Sequence, residues 1–111
     1  MVEKTGITDS AQIKQILEVE GYREIYQWED PPLSYYDWHS HPFDEVRWII
    51  DGEIRIGTTG DVITLKPGDR FNVEAGTLHW AEVGERGVKY VCGTKRYKRS
   101  PFIGNKKYFK F

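Results

Sequence analysis

His39, His41, Glu45 and His79 are the residues of this chain whose types and spacing can do chemistry. They fall in Trp38-His39-Ser40-His41-Pro42-Phe43-Asp44-Glu45 and, about forty residues on, in Gly76-Thr77-Leu78-His79. In extended backbone, residues two apart point to the same face. His39 and His41 can therefore both turn inward. Glu45 can reach the same point after a bend at Pro42, and His79 can close the site from a neighbouring strand. Three imidazole nitrogens and one carboxylate oxygen suit a single divalent ion: iron, manganese, nickel, zinc or cobalt. Four protein ligands on an octahedral ion leave two positions for water, substrate or dioxygen. Chance is a poor account of the pattern, because the chain has three histidines and all three fall here.

Arg47 lies two residues after Glu45, so a regular strand points it into the same interior. A buried guanidinium needs an anion. That anion is either a carboxylate or enediolate oxygen of a ligand, which makes Arg47 the candidate catalytic residue, or an internal Asp or Glu. Ile49 shares its face, and with Phe43 and Phe71 it is a candidate for the substrate pocket. Val73 joins them in the cavity or core. Trp48 and Ile50 point the other way. Trp38 and Trp80 each sit next to a ligand, so they should face away from the metal as core or dimer residues. Cys92, the single cysteine, reads as a small buried hydrophobe.

The elements that must position these residues are short. A chain of 111 residues has room for one compact domain. Thr8 or Asp9 can cap a helix over 8–21. Ile13, Ile16 and Leu17 share its apolar face, and Gly21 ends it. From 23 to 93 the pattern becomes β. Strands are expected at Arg23–Trp28, Ser34–Trp38, Glu45–Ile50, Glu53–Gly57, Asp61–Leu65, Arg70–Val73, Leu78–Val83 and Val88–Cys92. Asp51-Gly52 reads as a two-residue hairpin turn, and Gly84–Gly87 as a break. Many short strands with one edge helix suggest an all-β sandwich or barrel. The segment 95–111 mixes bases with Tyr97, Phe102, Tyr108, Phe109 and Phe111. So many aromatics should pack on the barrel or on a partner.

The net charge of −1 gives no general bias towards nucleic acid. Residues 1–45 carry ten acids and three bases, while 89–111 carry eight bases and no acid. The bland reading is attraction between the ends within a subunit or across a homodimer, with a nucleic-acid tail the lesser reading. No apolar run approaches the roughly 20 residues that span a membrane, and no apolar signal segment opens the chain. One cysteine forms no intrachain disulfide, which suits a reducing compartment. The expectation is a cytoplasmic protein with a small-molecule ligand.

His39-x-His41-x-x-x-Glu45, then six residues and Gly52, resembles the first motif of the cupin superfamily. Gly68, Gly76 and His79 resemble the second. Leu33, Glu74 and Val83 stand where that pattern has glycine, proline and asparagine, and none of these is a ligand. The resemblance implies a double-stranded β-helix, or jelly-roll barrel, around one metal ion. Asp44-Glu45-Val46-Arg47-Trp48-Ile49-Ile50-Asp51-Gly52 is similar to a run found in acireductone dioxygenases, as is Gly76-Thr77-Leu78-His79-Trp80. Those enzymes use iron or nickel to add dioxygen to an enediol, and the matching arginine implies a substrate role for Arg47. Three functions stay open on the residues: a metal-dependent dioxygenase, a metal-dependent isomerase or epimerase with Tyr35, Tyr36 or a carboxylate as base, and a non-catalytic binding module.

Overall fold

The computed structural model describes residues 1–95 and Phe111. The rest of the basic segment, with Tyr97, Phe102, Tyr108 and Phe109, lies outside the described residues. A short strand β1 (Val2–Lys4) precedes the helix α1 (Ser10–Val19). Six strands follow: β2 (Arg23–Asp30), β3 (Tyr35–His39), β4 (Asp44–Gly57), β5 (Val62–Leu65), β6 (Asp69–Val73) and β7 (His79–Lys95). Among the described residues no helix is long and apolar enough to cross a membrane.

The spine is a long antiparallel ribbon of β4 and β7, paired from Asp44↔Lys95 to Gly57↔Trp80. Its register shifts around Asp51-Gly52, and its flanking partners change there. Before the shift β4 pairs with β6, which carries β1, and the facing half of β7 pairs with β2. Beyond it β4 pairs with β5, and β7 pairs with β3. The ribbon thus contributes to two layers that face each other. Ile49, Phe71, Val73, Val88, Tyr90 and Cys92 meet Ile54, Ile56, Leu65, Ala81 and Val83 in one core. This is the expected all-β double-stranded β-helix with one short N-terminal helix.

Asp51-Gly52 corrects the hairpin expectation. A two-residue type I′ turn needs positive φ at both central residues, and only Gly52 has it, at φ +78°. The same dipeptide serves a bulge, which bends and twists a continuing strand. Gly84–Gly87 likewise lies inside β7 rather than between two strands.

Alternation along β4 is as the sequence reads. Arg47 and Ile49 turn into the barrel, while Val46 and Trp48 turn out under α1. Asp9 caps that helix, its carboxylate accepting from the Gln12 N–H at 2.9 Å. Ile13 and Leu17 are fully buried against Val46, Trp48 and Val91, each adding about 2 kcal/mol by area. The Trp48 indole N–H donates to the Ile7 carbonyl at 2.9 Å. Arg70 fastens the far end of the helix, donating to both carboxylate oxygens of Glu20.

Leu33, which replaces a motif glycine, has φ +63° and is two-thirds exposed. A left-handed β-carbon costs about 1–2 kcal/mol, and glycine gives back part of that gain through unfolded-state entropy. Leu33→Gly is therefore expected to raise stability by about 0.5 kcal/mol. Urea melts would show a higher midpoint at unchanged slope. A lower midpoint would contradict the strain.

Candidate metal centre

His39 ends β3 and His79 begins β7, and the two are direct register partners. Their rings lie 4.3 Å apart between centroids. His41 follows in the turn into β4, 5.0 Å from His39 and 5.2 Å from His79. The ligand-capable atoms of the three all lie within 4.8 Å of one another. Backbone contacts lock the two loops together: Gly76 N–H donates to the His41 carbonyl at 2.8 Å, and Ala75 N–H donates to the Asp44 carboxylate at 2.8 Å.

The rings are also oriented. His39 Nδ1 lies 2.6 Å from the Asp37 carbonyl, and His79 Nδ1 lies 2.9 Å from the Thr77 carbonyl. A carbonyl only accepts, so these contacts call for N–H at Nδ1 and leave the lone pair on Nε2. That is how metal-ligating histidines are held. Burial, and then the Arg47 guanidinium, push His41 down to about 3, so its ring is neutral, the form that binds metal. His79 Nε2 lies 2.7 Å from the main-chain oxygen of Phe111, and His41 Nε2 lies 3.2 Å from that oxygen. Ring nitrogens and an oxygen thus converge on one point, a donor set that fits a divalent ion.

The cupin domain pattern matches residues 27–92, more than half of the chain. The chain belongs to the cupin family. Among solved structures, this cupin is similar to a cupin-2 domain containing protein from Shewanella frigidimarina, at a TM-score of 0.59 and 18% identity, covering 83% of this chain and 97% of that one. It is also similar to DMSP lyase DddQ from Ruegeria pomeroyi, at a TM-score of 0.61 and 25% identity over 68% of this chain and 39% of that one. Among curated proteins it is 38% identical over 57 residues to acireductone dioxygenase 2 of Nocardia farcinica, which is 48% of this chain and 30% of that protein. A Synechococcus acireductone dioxygenase matches at 38% over 52 residues, 43% of this chain and 28% of its own. The matched part thus spans under a third of either relative's length.

The cluster is formed by the three histidines, and Glu45 stands beside His41. One oxygen accepts from Arg47 Nη2 at 2.7 Å, and the other lies 3.7 Å from His41 Nδ1. Arg47 is buried, and its Nη1 also donates to the Val46 carbonyl at 3.1 Å. Burial opposes its charge, but Cys92 and Glu45 outweigh burial and hold its pKa above the ordinary value. Of the two roles left open for Arg47, the internal ion pair is the one present. Ile49 and Phe71 belong to the buried barrel core, with the Phe71 ring 6.4 Å from His79. Phe43 is buried beside the ligand turn. Cys92 is buried in the same core, and burial pushes its thiol up to about 11. Trp38 is nearly half exposed rather than part of the core. Trp80 packs under Arg55 and beside Tyr35.

Two features escape a reading by motif. Asp30 is a buried carboxylate that accepts from Tyr36 O–H at 2.6 Å, Tyr90 O–H at 2.7 Å and the Trp28 indole at 3.2 Å. Burial, and then that bond to Asp30, raise the Tyr36 pKa. This commits one of the two tyrosines considered as a base, and the other, Tyr35, is exposed. The second feature is Phe111, fully buried in the barrel core with its main-chain oxygen at the histidines.

Proposed function

We propose that this cupin binds one divalent metal ion through His39, His41 and His79, with Glu45 as fourth ligand, and adds dioxygen to a small enediol or keto-acid substrate. The observation that carries the reading is the three-histidine cluster, two of its rings oriented by backbone carbonyls, with a buried arginine nearby. The stretches shared with two acireductone dioxygenases support the choice of reaction. When bound, the ion supplies a Lewis acid for an enediolate and a conduit for electrons. The chain does the rest. The Asp37 and Thr77 carbonyls aim the rings, the Ile49 and Phe71 wall excludes water, and Arg47 neutralises an oxyanion in a low-dielectric setting.

Oxygen uptake by the full chain, loaded anaerobically with iron(II) and given an acireductone or another enediol, tests this. Uptake is the expected result. Silence with iron, nickel, manganese and zinc across enediols and keto acids would leave a binding cupin without turnover. Metal content of protein from its native source adds a second check: iron or nickel agrees with the reading, and zinc does not.

Arg47→Met is expected to spare metal content and to weaken an anionic ligand about 10-fold or more, the worth of a lost charge-assisted bond. Equal ligand affinity by calorimetry would remove Arg47 from the pocket.

A further inference from the structure

The centre already holds an oxygen from this chain. The main-chain oxygen of Phe111 lies 2.7 Å from His79 Nε2 and 3.2 Å from His41 Nε2. No motif brings it there, since Phe111 is 32 residues from His79 and 70 from His41. Its ring fills the chamber behind. It lies parallel to Phe71 at 6.4 Å, meets Tyr90 edge-on at 4.9 Å, and has the Arg47 guanidinium 5.8 Å from its centroid. The side chain is fully buried among Ile49, Phe71 and Tyr90. One residue therefore presents an oxygen donor at the metal position and a flat apolar group against two aromatic rings and a cation.

We infer that Phe111 is an internal occupant of the ligand pocket, and that the ligand displacing it joins an oxygen chelator to an aromatic group, as an aromatic 2-oxo acid does. The inference rests on the proposed metal site and names the substrate class for it. The chemistry follows from what Phe111 satisfies. An oxygen within reach of both His41 and His79 takes a place at the ion that an incoming carbonyl or carboxylate oxygen needs. The Phe71–Tyr90 chamber gains from burying an aryl ring, and Arg47 stands over that ring and beside Glu45, positioned for a π face or an anion. An occupied pocket lowers apparent affinity by the fraction of molecules in which it is free. Deleting the Phe111 ring removes most of what holds the occupant in place.

Cobalt(II) serves as metal and reporter, through its visible absorption, in the full chain and in Phe111→Ala. Phenylpyruvate and pyruvate are the probes. Phenylpyruvate is expected to bind Phe111→Ala at least 10-fold more tightly than the unmodified chain, and more tightly than pyruvate does. Equal phenylpyruvate affinity in the two proteins would overturn the inference while leaving the metal reading intact. No cobalt spectrum in either protein would overturn the metal reading and the inference with it.

A second measurement needs no substitution. In the chain labelled with carbonyl-13C phenylalanine, substoichiometric manganese(II) should broaden the Phe111 resonance, and phenylpyruvate should restore it. A resonance untouched by manganese that binds stoichiometrically would overturn the placement. Broadening that persists at saturating phenylpyruvate would overturn the ligand class.

Discussion

Replacing His79 with alanine should cost at least about 100-fold in affinity for divalent metal, since losing even an outer partner of a ligand costs 10–100-fold. His79 is fully buried, its ring centroid 4.3 Å from that of His39 and 5.2 Å from that of His41. The alanine leaves a space that water can enter but no nitrogen to take the ion. The substitution also frees the Thr77 carbonyl from its Nδ1 contact, so some loss of stability accompanies the loss of metal. Cobalt titration separates the two effects, because circular dichroism reports the fold independently. Unchanged affinity in folded protein would remove His79 from the site. Ser40, exposed between His39 and His41, is the control: Ser40→Ala should leave metal affinity as it was.

Gly52→Ala should be among the most destabilising single changes to this chain, by about 4 kcal/mol. A β-carbon at this position lands 2.0 Å from the Gly87 carbonyl oxygen and 2.9 Å from the Val88 α-carbon. Both neighbours are backbone within the spine, so neither can rotate aside as a side chain does. Positive φ adds its own cost. For a domain of this size the loss corresponds to roughly 15–25 °C in melting temperature. Gly60→Ala, where an added β-carbon meets nothing within 4 Å, should change little. A thermal melt in which the two variants match would show that the ribbon does not need close backbone approach at Gly52.

The histidines were legible because side-chain type carries their chemistry and period two carries their direction. The same period placed Arg47 and Ile49 inside and Trp48 outside, since a strand face has no other choice. The turn at Asp51-Gly52 is ambiguous in sequence because one glycine with positive φ serves a hairpin and a bulge equally well, and the pairing partner that decides between them is some thirty-five residues away at Val88. Phe111 reads in sequence as an aromatic that packs, but its contribution at the histidines is a main-chain oxygen, which every residue has. The Asp30, Tyr36 and Tyr90 cluster joins three strands with no fixed spacing, so no local pattern announces it.

The stretch from Glu45 to Gly52 acts as a ruler. One end lies at the centre and the other at the bulge where the ribbon changes partners. Adding one residue between Glu45 and Arg47 would turn Arg47 and Ile49 towards the helix. Adding two would keep their faces but carry the bulge away from Gly87. Neither change alters a histidine or Glu45, yet each separates the site from the architecture that shapes it. The count of six intervening residues is thus a length measured in strand rise, and insertion or deletion within it is expected to disturb the site without touching a histidine.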